Sequence, residues 1–181
     1  MLIRRLADCP QVPWRNGAGT TRELYVDDDL RVTVASERSE AAFSDFSGWS
    51  RTIVPLGEGL SLLVGERPEV RIPAWSAFAF SGAERVRARL AAGPIDAFNI
   101  MTRDEALVHR MLSLPIAPLR AEQISAIALF VLRGTLSLRE ERLAAETFAL
   151  AEGREECDAI ARIAPPSAAQ ALVFALEALR G

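Results

Sequence analysis

The chain contains no lysine, and all 21 of its basic residues are arginines. Without lysine there is no amine to form a Schiff base, to anchor pyridoxal phosphate or to complete a phosphate-binding loop. Any cationic contact to a ligand must therefore come from arginine. The planar guanidinium group of arginine suits carboxylates and phosphates, because it can donate two parallel hydrogen bonds to them.

Histidine and cysteine are scarce as well. His109 is the single histidine, and Cys9 and Cys157 lie far apart without the paired spacing of a metal site. We therefore expect neither a metal centre nor a cofactor. A catalytic triad would have to use His109, which lies in an apolar stretch, so a structural role is expected for it.

Strong charge and long hydrophobic runs are also missing. The formal net charge is −3 and the isoelectric point is about 5.3, so we expect neither nucleic acid nor a membrane as a partner. Arg4 and Arg5 are followed by Asp8 rather than by a secretory apolar run, and the apolar-rich stretch of residues 168–176 is shorter than the ~20 residues of a membrane span. A cytoplasmic location is expected.

Short β-like segments separated by turn residues dominate what is present. Several of them alternate apolar with other residues, as Leu60, Leu62 and Val64 do, which is the period of a half-buried strand. The predicted strands are residues 31–36, 51–56, 60–64, 69–72, 77–80, 86–90 and 98–101. This density of strands and turns predicts an all-β barrel or sandwich.

The second half of the chain repeats the first faintly and in order. Residues 53–62, 77–82 and 88–94 are echoed by residues 130–138, 147–153 and 161–166. The repeat predicts two related barrels, residues 1–105 and residues 106–181, in one compact unit. It also predicts that residues 170–176, which favour a helix by propensity, form a strand like that of Phe98 and Asn99.

Two polar blocks occur in the first half and have no counterpart in the second. Residues 14–24 place Trp14, Asn16 and two close glycines before a strand, and residues 93–103 place Asn99 among apolar neighbours. The first block is also consistent with an ordinary tight turn. Between the two blocks, Arg51 opens an apolar strand and needs a partner, because an unpaired buried charge costs several kcal/mol.

The partner of Arg51 is left open by the residues themselves. Asp45, Asp96 and an acidic ligand are all candidates, and Arg51 could also face solvent or close an internal salt bridge. These alternatives differ in function, because only the third makes Arg51 part of a binding site.

Three ordered motifs resemble the HutD/Ves family of cupin-like proteins. They are Trp14-Arg15-Asn16-Gly17-Ala18-Gly19, Phe43-Ser44 with Gly48 and Arg51, and Gly93-Pro94 with Phe98-Asn99-Ile100-Met101-Thr102-Arg103. The resemblance covers about the first 105 residues strongly. Two positions depart from the family pattern: Ala18 replaces a glycine, and Ala97 stands where the family has aspartate. Asp96 is adjacent, but one residue of register turns a strand side chain to the opposite face.

The resemblance implies two cupin-like (RmlC-like jelly-roll) barrels packed as a bicupin, without the usual metal-binding histidines. It also implies a pocket in which Arg51 contacts a small carboxylate, and a link to histidine utilisation or to stress responses. HutD-like members have been proposed to sense a formylated glutamate intermediate. The predicted ligand-binding residues are Arg51, Trp14, Asn16, Asn99, Phe43 and Phe98.

Three functions are compatible with these residues. The leading prediction is a metal-independent carboxylate-binding protein acting as a regulator or sensor. A metal-free isomerase or hydrolase of a small acidic metabolite would need a general base, with Asp45, Glu23 or Asp96 as candidates. A protein-interaction module would use Trp49 and Trp75 if they were exposed, although both are expected in the core. A homodimer is a further expectation, from fold analogy alone.

Overall fold

The computed structural model describes residues 1–14, 17–90, 93–116 and 124–179. Its strands are β1 (Leu2–Arg5), β2 (Gln11–Pro13), β3 (Gly19–Val26), β4 (Leu30–Glu37), β5 (Trp49–Pro55), β6 (Leu60–Val64), β7 (Val70–Ile72), β8 (Phe78–Ser81), β9 (Val86–Arg89), β10 (Ile95–Arg103), β11 (Leu107–Leu112), β12 (Ala126–Arg133), β13 (Thr135–Leu138), β14 (Glu141–Ala144), β15 (Thr147–Glu152) and β16 (Gln170–Ala178). The helix α1 spans Arg154–Ala161. Each of the seven strands predicted in the first half is confirmed, and the fold is all-β and cupin-like.

The chain divides into two compact units, and Pro10–Glu105 forms one of them. Its larger sheet has the strand order β2-β3-β4-β10-β5-β8, and its smaller sheet has the order β7-β6-β9. Neighbouring strands in both sheets are antiparallel. Successive side chains of such a strand point to opposite faces of the sheet, and one face packs on the core. Apolar residues therefore recur at every second position, and this period allowed strands to be predicted from the sequence.

An apolar cluster fills the space between these two sheets at one end of the unit. The larger sheet contributes Ile53, Phe80 and Ala97, and the smaller sheet contributes residues such as Leu62 and Val86. Burying side chains of this size contributes about 1.5–3 kcal/mol each. Polar side chains of β4 and β5, among them Glu37 and Arg51, lie outside this apolar cluster. They belong to the site described below.

Met1–Cys9 and Ala106–Gly181 form the other unit. Its sheet has the order β1-β15-β12-β16-β11, and β13 pairs with β14 in a separate ribbon. The helix α1 packs on this unit through Cys157 and Ile160, which join the apolar cluster of Ile127, Leu129 and the surrounding strands. The core of this unit is therefore apolar.

The observed units differ from the predicted division in the first nine residues. The strand β1 pairs with β15 and so lies in the unit that contains Ala106–Gly181. Pairing between residues 142 to 148 positions apart leaves no local signature, so the sequence placed β1 with its neighbours in the chain. The bicupin arrangement stays a prediction.

The repeat predicted from the sequence has a partial counterpart in strand order. In one unit β5 lies between β8 and β10, and in the other β12 lies between β15 and β16. The residues 170–176 are confirmed as a strand, since β16 pairs with both β11 and β12. The third repeat segment differs, because residues 161–166 begin at the last residue of α1 and continue without a strand, whereas residues 88–94 begin in β9. Within the described ranges, the helices are too short or too polar to cross a membrane.

Candidate functional site

A cavity of about 430 Å³ opens within the Pro10–Glu105 unit. Five strands, β2, β3, β4, β5 and β10, supply its walls together with Trp14 and the loop segment of residues 42–46. The lining residues are Pro13, Trp14, Thr21, Arg31, Thr33, Ala35, Glu37, Ala42, Phe43, Ser44, Phe46, Arg51, Asn99 and Met101. Its size is that of a small-molecule pocket.

Strand alternation decides which side chains reach the cavity. On β4 every second residue lines it, from Arg31 to Glu37, and on β10 Asn99 and Met101 do so. Phe98 lies between inward-facing residues of β10, so its side chain points to the opposite face of the sheet. Phe98 is buried but does not line the cavity, whereas Asn99 lines it.

Arg51 is held among aromatic rings. Its side chain is 6% exposed, and its guanidinium carbon lies 5.2 Å from the ring centre of Phe43, 5.2 Å from Phe46 and 4.8 Å from Phe80. In the described part of the chain Arg51 forms no ion pair, and its Nε atom is buried without a hydrogen-bond partner. Burial lowers the pKa of Arg51 to about 10, so it stays cationic at neutral pH.

Glu37 is the second buried charged group of the cavity. It is 1% exposed, and its Oε2 atom has no hydrogen-bond partner. Burial raises the pKa of Glu37 to about 7, against the opposing attraction of Arg51. The sequence reasoning missed Glu37 because the predicted strand ended at residue 36. The alternation of Arg31, Thr33 and Ala35, continued by one step, would have found it.

Asn99 adds an amide to the cavity wall. It is 4% exposed, and its Nδ2 atom donates to the backbone carbonyl oxygen of Ala97 at 3.2 Å. That hydrogen bond fixes the orientation of the amide, as expected for a buried polar side chain. The amide can therefore act as a directional contact for a ligand.

Trp14 follows β2 directly and contributes an aromatic ring to the cavity wall beside β3. The Trp14 Nε1 atom donates to Thr21 Oγ1 at 2.7 Å, and the Trp14 backbone N–H donates to the Gly19 carbonyl oxygen at 2.9 Å. Gly17 has φ of 69°, a left-handed conformation that favours glycine. Asn16 lies outside the described residues.

A second arginine, Arg31, lines the cavity and has a carboxylate partner. Its Nη2 atom lies 3.1 Å from Glu23 Oε1, and its guanidinium carbon lies 5.8 Å from the ring centre of Phe46. Arg31 and Arg51 flank Met101, which pairs with Arg31 on one side and with Arg51 on the other. The charge of Arg31 is therefore balanced by an ion pair with Glu23, whereas Arg51 has no ion pair among the described residues.

The structure does not bring the other candidate carboxylates into the cavity. Asp45 accepts hydrogen bonds from the Ser47 backbone N–H and hydroxyl group, which lower its pKa, and it is not a lining residue. Asp96 binds the Ser36 hydroxyl group on the opposite face of β10. It therefore does not replace the carboxylate missing at Ala97.

The remaining candidates of the sequence lie away from the cavity. Trp49 is 9% exposed, as expected, whereas Trp75 is 39% exposed and its Nε1 atom donates to the Leu56 carbonyl oxygen. His109 belongs to the other unit, where burial lowers its pKa to about 4 and its ring lies against Phe174. Across the residues that the structure describes, no three His, Cys, Asp or Glu side chains form a group that could hold a metal ion.

The proteins similar to this chain include two with known names or gene context. An uncharacterised 21.2 kDa protein from the hutC 3′ region of Pseudomonas putida is 36% identical over 107 residues, which are 55% of this chain and 56% of that protein. Protein Ves of Escherichia fergusonii is 36% identical over 98 residues, which are 50% of this chain and 51% of Ves. The chain thus spans about half the length of the curated relatives it matches.

The solved structure of HutD from Pseudomonas fluorescens SBW25, in a formate condition, has the same fold. It superposes with a TM-score of 0.82 at 23% identity, over 99% of each chain. The HutD family model matches residues 6–167. That range includes all three motifs and most of the chain, so the protein belongs to the HutD family.

Proposed function

We propose that the Pro10–Glu105 unit binds a small carboxylate without a metal ion, and that the protein is a regulator or sensor rather than an enzyme. The observation that carries this proposal is the unpaired, buried guanidinium group of Arg51 at the cavity. A buried charge without a partner is costly, and an anionic ligand would supply the partner. Asn99 and Trp14 orient the ligand, and Phe43 packs beside the guanidinium group.

The names of the relatives support an assignment of this binding activity to a metabolic pathway or to a stress response. One similar protein comes from the hutC 3′ region, and the structural neighbour is a HutD solved in a formate condition. Another relative is named Ves. We infer a role in histidine utilisation or in a stress response, in a cytoplasmic protein that needs neither nucleic acid nor membrane as a partner.

A thermal-shift screen of small carboxylates tests the proposal. The panel is formylglutamate, formiminoglutamate, urocanate, glutamate and formate. Because a ligand stabilises only the folded state, a hundredfold excess over Kd contributes about 2.7 kcal/mol. For a chain of this size that raises Tm by roughly 5–10 °C.

Variants of Arg51 identify the binding group. Arg51→Ala is expected to remove the Tm shift, and Arg51→Lys to reduce it, because lysine keeps the charge but loses the planar fork. Arg103→Lys is the matched control, since Arg103 lies on the ring of Trp49 and does not line the cavity. An unchanged shift in folded Arg51→Ala protein would contradict the proposal.

An enzymatic function has one specific observation in its favour. Glu37 lines the cavity with a pKa of about 7, which suits a general base or acid at neutral pH. The reaction class would be isomerisation or hydrolysis of a small acid. Turnover that disappears in Glu37→Gln while the same acid still binds would favour the enzyme over the sensor.

A further inference from the structure

Glu37 and Arg51 are buried charged groups that face one cavity without forming an ion pair. Each is more than nine-tenths buried, and each holds a buried polar atom without a hydrogen-bond partner, Oε2 in Glu37 and Nε in Arg51. Both line the same cavity, so a ligand in it lies in the field of both groups. Glu37 has no assigned role in the carboxylate site described above.

The other walls of the cavity carry little free charge. On β4 the second ionisable lining residue is Arg31, which is paired with Glu23. The loop segment 42–46 contributes Phe43, Ser44 and Phe46 among its lining residues, and β10 contributes Asn99 and Met101. Pro13, Trp14 and Thr21 are further lining residues and carry no charge. Among the lining residues, Arg51 is therefore the cation without an ion-pair partner that faces Glu37.

Because of this arrangement, the charge of Glu37 depends on whether a carboxylate is bound to Arg51. The attraction of Arg51 favours the ionised form of Glu37. A carboxylate bound to Arg51 neutralises that attraction and adds a second anion to a cavity of low dielectric constant. Two carboxylates sharing such a site cannot both stay ionised without a large cost, so one of them takes up a proton.

We propose, on the basis of the carboxylate site described above, that a carboxylate binds at Arg51 together with one proton from solvent, which is taken up by Glu37. Glu37 is then a residue that determines specificity. Its neutral carboxyl group can donate a hydrogen bond to an acceptor on the ligand, and its ionised form repels anions. The protein thus holds its ligand more tightly as the pH falls towards neutrality.

The test measures Kd for formate by NMR titration of [13C]formate at about pH 5.5, 6.5, 7.5 and 8.5. The free protein has a Glu37 pKa of about 7. Above that pH each binding event must draw a proton from solvent, so Kd is expected to rise by up to about tenfold per pH unit. Below it Glu37 is already protonated, and Kd is expected to be constant.

Two variants assign the proton to Glu37. Glu37→Gln mimics the neutral carboxyl group, so its Kd is expected to be independent of pH and near the acidic value of the wild type. Asp96→Asn is the matched control, because Asp96 lies on the opposite face of β10 and binds Ser36. This control is expected to retain the wild-type pH dependence.

The outcomes separate the two proposals. Formate binding that requires Arg51 but has a constant Kd from pH 5.5 to 8.5 would overturn the proton coupling and leave the carboxylate site intact. A pH dependence that survives in Glu37→Gln would also overturn the coupling. If neither formate nor any acid of the panel binds at any pH, the carboxylate site itself is wrong, and the coupling fails with it.

Discussion

The guanidinium group of Arg51 contacts aromatic faces and, among the described residues, forms no ion pair with a carboxylate. A cation over an aromatic ring gains about 0.5–2 kcal/mol, depending on desolvation. Three rings, those of Phe43, Phe46 and Phe80, therefore offset part of the several kcal/mol that burial of the charge costs. Because the rings provide no hydrogen-bond acceptor in the ring plane, they leave the buried Nε atom of Arg51 without a hydrogen-bond partner.

Glu37 predicts a dependence of stability on pH. Its folded pKa is about 7, raised from 4.5, so it binds its proton more tightly in the folded state. Its contribution to the free energy of unfolding is full below about pH 4.5 and is lost as the pH rises through 7. The loss amounts to about 3 kcal/mol.

Glu37→Gln removes this dependence. Compared with the wild type, the variant is expected to gain stability at pH 8 relative to pH 5, by up to about 3 kcal/mol. Urea unfolding of both proteins at the two pH values measures the difference. Equal pH dependence in the two proteins would mean that Glu37 titrates near its ordinary value.

At the level of elements, the position of the Trp14 ring depends on Gly19, the first residue of β3. A Cβ atom on Gly19 would lie 2.4 Å from the Ser36 carbonyl oxygen and 3.0 Å from the Trp14 ring. The first contact is with backbone of the paired strand β4, which cannot move without breaking the sheet. The glycine at this position therefore allows the ring of Trp14 to pack at the cavity.

Gly19→Ala is expected to lower the free energy of unfolding by about 1–3 kcal/mol and to weaken carboxylate binding about tenfold, because Trp14 is displaced. Gly57→Ala is the matched control, since nothing lies within 4 Å of its Cβ position and its φ is not left-handed. Urea unfolding and the formate titration measure both effects. Wild-type affinity in Gly19→Ala would show that the position of Trp14 does not matter for the ligand.

The strands show what can be predicted from local pattern. Alternation identified β6, in which Leu60, Leu62 and Val64 are fully buried and the residues between them are only partly buried. The strand β16 was predicted against its helical propensity, since the repeat aligned it with β10 and tertiary pairing outweighs a propensity of a few tenths of a kcal/mol per residue. The helix α1 was not predicted, because residues 154–160 fall between two segments of the repeat, 147–153 and 161–166.

At the level of the whole molecule, the two units differ in their buried polar groups. Among the described residues, the buried charged side chains, Glu37 and Arg51, and the buried amide of Asn99 all lie in Pro10–Glu105. The other unit buries Thr147 and is otherwise filled with apolar side chains such as Leu136. This difference supports the hypothesis that Pro10–Glu105 binds the ligand, whereas the other unit contributes to the stability of the fold.

A core substitution in the second unit tests that hypothesis. Leu136→Ala removes a fully buried side chain and is expected to lower the free energy of unfolding by about 2–5 kcal/mol. The Kd of the folded protein for formate is expected to stay within about twofold of the wild type. Phe43→Ala is the contrasting variant, since it removes a ring beside Arg51 and is expected to raise Kd.

The sequence by itself determined the all-β class, the family, and Arg51, Trp14, Phe43 and Asn99 as residues of interest. These features depend on local alternation and on short motifs, which survive without any knowledge of distant contacts. Only the tertiary structure decided that Phe98 points away from the cavity and that β1 pairs with β15. Only it, too, brought Glu37 into the cavity with Arg51. Such decisions depend on strand register and on pairing between distant segments, and these are set by packing of the whole chain.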